Sequence, residues 1–540
     1  MQDLDLDCLQ QSVVKCVSES RYDDAMVRIK SFAEQVINDP ESIAVVFASR
    51  ELDDLCRVLA DAYYRDRGVQ GKHDGKGQGT VILASELVRA GGHVELIKDY
   101  LALGLFESPV RVALTDLFNR IDRATIDEWE SLLGCEVFIA TETAFERKLD
   151  DLSAKLGEWR PSTLLTLGHN QDVVAIVAAH FPGATGRYYI HHGDHHLSLG
   201  VTCEAFQHVD LHNMSYELCG HRIGVSGQRY WPLSAVRPSQ RKTGFLGRGA
   251  LTSCSCGRES KFKSGSYAMA YERGVANILK ASHGYHVHIG DLSEAFLQKI
   301  FAELDAANVS RERFIHIEWV PSLAKALIEH SVDVFVGSFP LGGGKALIEA
   351  MSVGVPVVTH ESYRSRYHGG GELTYPESFM WSRYEELARI FEQWNEPLLK
   401  QHGEAALRHF EQYYSKEAFL NAFSTKPGTA PEVPPLRIYR GNPLRNYLDS
   451  RRQREQVIAL LESEKNRIFG EWKNLRLQYE EHIETIGKQQ AVIDQLMREN
   501  ETLEASLLEQ EMVSRELRDE IVRRSWKWKI RNLVAVMREK

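Results

Sequence analysis

Gly337-Ser338-Phe339-Pro340-Leu341-Gly342-Gly343-Gly344-Lys345-Ala346-Leu347-Ile348-Glu349-Ala350-Met351, closed by Gly354-Val355-Pro356-Val357-Val358-Thr359, decides how this chain is read. The apolar run 332–336 in front of it reads as a buried strand. Three glycines follow, and then Leu347, Ala350 and Met351 recur at helical spacing. Gly354 and Pro356 stop the helix, and Val357-Val358 start the next strand. Strand, glycine loop, helix and strand in that order form the unit of a parallel α/β sheet. Glycines let backbone approach a ligand closely, and the free N–H groups of a helix start attract a phosphate. Glu349 lies about one and a half turns inside that helix, within reach of its start. A tight turn between two core elements would look the same in its glycines alone.

The same pattern extends in both directions. Toward the N-terminus, 80–84 is strand-like, Gly91-Gly92-His93 follows, and Val94, Ile97 and Leu101 mark an amphipathic helix. Further strand candidates are 110–115, 137–141, 163–167 and 188–191, with helical stretches between them. After a polar, proline-containing linker near 236–244 come strand candidates 250–253, 286–290, 314–318, 332–336 and 356–359. Helices are expected at 267–281, 293–307, 383–391 and 398–414.

The flanks differ in character. Residues 1–75 carry apolar residues at three- and four-residue spacing and read as a helical segment, ending in a glycine-rich linker at 68–79. The proline-rich 426–435 reads as loop. Ile486, Ile493, Leu496, Asn500, Leu503, Leu507, Leu517 and Ile521 fall on a and d positions of a coiled coil, interrupted by Gln489, Gln510 and Ser514. Asn500 at an a position favours a dimer in register; one long solvated helix is the competing reading. The basic, aromatic tail, with Trp526 and Trp528 among arginines and lysines, suits an anionic membrane surface.

Composition bounds the function. The 540 residues are 43% hydrophobic with net charge −10, which fits a multidomain globular protein without a nucleic-acid footprint. No run of 18 apolar residues is present to span a membrane, and Met1-Gln2-Asp3-Leu4-Asp5 lacks the basic start of a signal peptide. The eight cysteines are scattered without a CxxC pair, so reduced cytosolic thiols are expected, at a cytoplasmic location with peripheral contact at the inner membrane face.

His191-His192-Gly193-Asp194-His195-His196-Leu197-Ser198-Leu199-Gly200 comes directly after a strand candidate, where ligands bind in open α/β sheets. A polar surface loop is one reading. A metal is another, weakened because the ligands crowd one loop with no partner cluster, so no metal ligand is assigned. The third is chemistry, since imidazole titrates near neutral pH and suits proton transfer.

The stretch at 337–359 resembles the nucleotide-sugar-binding segment of GT-B glycosyltransferases, a superfamily with two facing Rossmann-like domains. The resemblance spans roughly 78–425 and is diffuse beyond that stretch. It implies an acceptor-side Rossmann-like domain at 78–238 and a nucleotide-sugar domain at 240–425, preceded by the helical segment that the apolar spacing places at 1–75. A linker at 426–451, a coiled coil at 452–522 and a basic tail at 523–540 complete the expected organisation. By the same resemblance Gly342, Gly343, Gly344 and Lys345 meet the donor diphosphate and Glu349 bonds the ribose. Gly91, Gly92 and His93 resemble the first loop that faces the donor phosphates. Arg258, Lys261 and Lys263 lie where the family supplies a cation to the diphosphate, and Trp319 and Val320 lie where it contacts the base. His–Asp–His loops similar to this one line the cleft in bacterial members, which makes His195 or Asp194 the candidate base, with His192 beside them. Retaining family 4 enzymes carry a glutamate eight residues before the one matched by Glu349. Leu341 stands there instead, and the Pro-Leu start is more similar to the inverting family 41 enzymes.

The expected function is inverting transfer of a hexose or N-acetylhexosamine from a nucleotide diphosphate sugar, UDP-linked, to a glycan or protein acceptor. No cofactor beyond the donor is required. A homodimer through the coiled coil is expected. The competing classes are a non-hydrolysing sugar-nucleotide 2-epimerase and a non-catalytic scaffold on a transferase fold.

Overall fold

The computed structural model describes residues 5–39, 42–69, 77–87, 92–193, 195–235, 240–264, 267–362, 365–426, 429–437 and 443–538. Two compact units form, Met1–Glu455 and Gln456–Lys540.

Short apolar runs in the first unit build two parallel sheets. β1 (Thr80–Ala84), β2 (Val110–Leu114), β3 (Val137–Ile139), β4 (Thr163–Leu167), β5 (Gly186–His191), β6 (Gln207–Asp210) and β7 (Arg229–Tyr230) stand in the order β3-β2-β1-β4-β5-β6-β7. β8 (Thr252–Cys256), β9 (Tyr285–Ile289), β10 (Phe314–Ile317), β11 (Val334–Val336), β12 (Val357–His360) and β13 (Phe379–Trp381) stand in the order β10-β9-β8-β11-β12-β13. Central strands such as β1 are buried along their whole length, so they are continuously apolar rather than alternating. Two doubly wound parallel sheets are the GT-B architecture that the sequence led us to expect. Strand order reverses between β1 and β4 in the first sheet, and between β8 and β11 in the second. Ligands bind outside the carboxyl ends of strands at such points.

The two sheets are tied together. Lys345 donates from its ammonium to the Asp99 carboxylate and to the Ser234 carbonyl, joining the helix Gly344–Ser352 to the helix Gly92–Leu103. The helix Lys416–Phe423 follows the second sheet yet packs on the first: Phe423 meets Trp231 at a tilt, 4.9 Å away, and Phe419 lies 5.8 Å from Tyr100.

The N-terminal helices Leu6–Ser18, Tyr22–Asn38 and Arg50–Asp66 share a core with the first sheet, through Leu59, Tyr63, Leu149, Leu152 and Val177. Tyr63 donates to Asp150 at 2.7 Å, and Arg67 pairs with Glu146 and Asp150. Deeper in, the buried Asp53 carboxylate accepts from Gly200 N (2.6 Å), Thr202 N (2.8 Å) and Thr202 Oγ1 (2.7 Å). Burial pushes its carboxyl up to about 6 against those three bonds. Asp53→Ala strands three donors in the interior. Urea unfolding is expected to show a loss of about 2–3 kcal/mol. A loss under about 0.5 kcal/mol would mean the donors find other partners.

The second unit consists of the greater part of the helix Pro443–Arg538. Ile486, Ile493, Leu496, Leu503, Leu507, Leu517 and Ile521 are exposed along it, as are Trp526 and Trp528. No described helix is long and apolar enough to cross a membrane.

Candidate active site

The loops after β8 and β11 meet at the reversal of strand order in the second sheet. Leu341 N donates to Lys261 O at 3.3 Å, which locks one loop to the other. Ser338 Oγ donates to Leu341 O at 2.8 Å and holds the glycine loop in shape. The helix Gly344–Ser352 then begins at Gly343, with no side chain capping its first turn. An uncapped helix start leaves amide donors and positive potential of the kind that suits an anion.

Lys261 completes the seat. A Cβ on Gly343 would lie 2.7 Å from its Nζ, so the ammonium rests against the bare glycine. Burial pushes the Lys261 ammonium below its ordinary range, and Arg258 nearby adds to that. Among the described residues no carboxylate pairs with it. A half-buried cation beside an uncapped helix start is a place of unmet positive potential. Of the other expected cations, Arg258 is exposed and Lys263 is drawn to Glu259 at 2.7 Å. Lys345 is turned to Asp99 and Ser234 and away from the loop's mouth.

Glu349 sits one layer below. Burial pushes its carboxyl up to about 7; Lys345 opposes this, and Glu95 and Asp99 across the domain boundary add to it. The Ala324 amide, at the start of the helix Leu323–Glu329, also opposes the rise. That places Glu349 next to the loop after β10, where Trp319 is 62% exposed and Val320 is half-buried. A ring offered to solvent at a strand's carboxyl end is free to stack on a base.

The first sheet contributes from the opposite side. His212, just after β6, approaches the glycine loop: a Cβ on Gly344 would lie 3.0 Å from its Nε2 and 2.9 Å from Leu233 and Leu373. His169 after β4 lies 3.1 Å from Glu86 after β1, at the reversal of strand order in that sheet. Sequence reading singled out neither. His212 follows β6, a strand whose polar residues gave no apolar signal, and His169 is an isolated histidine whose partner is 83 residues away.

The histidine loop is held by Asn170, after β4, and by the turn between the second and third N-terminal helices. Asn170 Nδ2 donates to Gly193 O (2.8 Å) and to Ser198 Oγ (2.6 Å), while Ala44 N donates to His195 O at 2.7 Å. Phe47, two residues from Val45, meets Tyr367 edge-on at 5.6 Å, and the neighbouring His368 O accepts from Gly342 N at 3.2 Å. This short relay of contacts links the loop's neighbourhood to the glycine loop. His192 and His195 are half-buried. Asp194 and Gly91 lie outside the described residues. Gly92 and His93 begin the helix Gly92–Leu103, and their side chains lie outside the described set.

No family model matches the chain, and no curated protein matches it. Solved structures overlap with it at low identity. HepE of Anabaena in complex with UDP and glucose is 13% identical over 63% of this chain and 97% of that one, with TM-score 0.46. The lipopolysaccharide outer core galactosyltransferase WaaB is 12% identical over 64% and 97%, with TM-score 0.47. An O-GlcNAc transferase variant from Thermobaculum terrenum is 14% identical over 78% and 83%, with TM-score 0.43. The assignment of a two-domain GT-B architecture rests on the strand orders of the two sheets themselves.

Proposed function

We propose that the chain transfers a hexose or N-acetylhexosamine from a UDP-linked sugar to a glycan or protein acceptor, with inversion at the anomeric carbon. The observation that carries this reading is Lys261, an ammonium without a carboxylate partner among the described residues, resting on Gly343 at an uncapped helix start. A diphosphate leaving group supplies the charge that this arrangement lacks. Its oxygens take the first amides of the helix Gly344–Ser352 and the Lys261 ammonium, with His212 approaching from the first sheet. Glu349 takes the ribose hydroxyls and Trp319 with Val320 borders the base. His212 neighbours the leaving-group side, so it does not serve as the base for the acceptor. That role falls to His195, with Asp194 and His192 on the same loop, and it needs a proton acceptor on the face opposite the diphosphate. Leu341 in place of a second glutamate supports inversion. No residue in this scheme requires a metal.

The exposed apolar row from Ile486 to Ile521 supports a second copy of the chain as its cover, and Trp526 and Trp528 in the basic tail support contact with an anionic membrane.

Incubating the full chain with a panel of nucleotide sugars separates the classes. A transferase releases nucleotide faster when the acceptor is added. An epimerase yields a second sugar nucleotide with no acceptor, and a scaffold does neither. Absence of turnover and of UDP binding together would overturn the proposal. Within it, Glu349→Ala removes a charge-assisted bond to the ribose, and calorimetry is expected to show UDP binding weakened by about 1.5–3 kcal/mol. Unchanged affinity in a folded variant would move the ribose elsewhere.

A further inference from the structure

Four side chains of the first sheet converge in its interior, away from the glycine loop. His191 ends β5, His208 and Asp210 lie on β6, and Cys219 lies on the π-helical turn Leu218–Ile223. All four are buried, and one ligand atom from each lies within 4.8 Å of every other. π turns are rare and concentrate at functional positions.

Three of the contacts within this 4.8 Å cluster suit one shared ion as well as direct hydrogen bonds. His191 Nδ1 lies 3.1 Å from Asp210 Oδ1, His208 Nε2 lies 3.1 Å from the same oxygen, and Cys219 Sγ lies 3.5 Å from His191 Nδ1. Around a tetrahedral zinc, with Zn–N about 2.0 Å and Zn–S about 2.3 Å, two N or O ligands sit about 3.3 Å apart and an N and an S about 3.5 Å apart. A nucleophilic Cys–His–Asp relay requires the thiol on one ring nitrogen and the carboxylate on the other. Here both meet the same Nδ1, which is how ligands of one ion are arranged.

Charge points the same way. Asp210 is fully buried, and among the described residues its charge partners are the imidazoles of His191 and His208, with no lysine or arginine. Its second oxygen, Oδ2, has no hydrogen-bond partner among the described residues. One aspartate, one thiolate and two neutral imidazoles balance a dication. A mixed N, O and S tetrahedral set favours zinc among the common divalent ions.

We propose that His191, His208, Asp210 and Cys219 bind one zinc ion that fastens the Leu218–Ile223 turn to the ends of β5 and β6. His191 directly precedes His192, so the ion anchors the chain where it leaves β5. The role is structural, independent of donor binding at the second sheet. The competing arrangement is a metal-free network in which both imidazoles donate to Asp210 Oδ1.

The test uses the full chain expressed with zinc available. Elemental analysis after desalting is expected to find about one zinc per chain, and Cys219→Ser and His208→Gln are each expected to lose it, with affinity down at least about tenfold. Wild-type protein stripped with a strong chelator is expected to melt several degrees lower and to recover on adding Zn²⁺. Cobalt loaded in its place is expected to show a thiolate charge-transfer band that Cys219→Ser abolishes. These wild-type readouts stand even where a variant fails to fold. Less than about a tenth of an equivalent of zinc, with the same melting temperature in chelator and in Zn²⁺, would overturn the proposal. Zinc retained in full by both variants would also overturn it.

Discussion

Lys261→Ala is expected to lower kcat/KM for the sugar nucleotide by about 10²- to 10³-fold. The estimate follows from removing one preorganised charge at the point where a leaving diphosphate develops its negative charge, about 2.7–4 kcal/mol of transition-state stabilisation. The fold should not suffer, because the ammonium has no carboxylate partner among the described residues to orphan and burial already disfavours its charge. Lys261→Arg is not expected to rescue activity. The Nζ lies where a Gly343 Cβ would begin, 2.7 Å away, so a planar guanidinium has no room there. Gly343→Ala should fail for the complementary reason. Steady-state kinetics with a melting curve for each variant checks all three. Lys261→Ala turning over at more than about a tenth of the wild-type rate would remove this residue from the chemistry.

Asp333→Ala is expected to cost about 3–5 kcal/mol of stability. Asp333, just ahead of β11, accepts from Leu246 N and Thr252 N, each at 2.9 Å, and from Lys242 Nζ at 3.1 Å. The carboxylate is 0% exposed and the lysine side chain 5% exposed, so the variant leaves an ammonium and two amides stranded in the interior. Burial already pushes the Lys242 ammonium below its ordinary range while Asp333 holds it up, so loss of the carboxylate leaves it the Phe245 ring, 4.9 Å away, in place of an opposite charge. The pair fastens the chain entering the second sheet to that sheet's central strands. Urea unfolding followed by tryptophan fluorescence measures the loss for the unit Met1–Glu455. A loss under about 1 kcal/mol would show that the segment around Lys242 rearranges to reach water.

The fold was readable where burial is apolar. β1 at Thr80–Ala84 and β4 at Thr163–Leu167 match the expected strands residue for residue, since a central parallel strand must be apolar on both faces. β6 was missed because His208 and Asp210 make a buried strand look polar. β7 and β13 were missed because two and three residues carry no period. The glycine loop and its helix were readable because glycine and proline punctuate locally. The choice of Lys261 from among three basic residues was not, since it depends on where the loop after β8 crosses the loop after β11. Nor was the tie of Lys345 to Asp99, whose partners are 246 residues apart. Cys219 sits on a π turn, for which sequence carries no pattern, so its convergence with His191 required the tertiary structure.

The proposed function stands or falls on whether the glycine loop seats a nucleotide diphosphate. A crystal structure of the full chain grown with UDP tests this most directly. Density for the diphosphate is expected within hydrogen-bond distance of Lys261 Nζ and the first amides of the helix Gly344–Ser352, with the ribose hydroxyls on Glu349 and the uracil beside Trp319. Nucleotide bound elsewhere, or a glycine loop without nucleotide at saturating UDP, would contradict it.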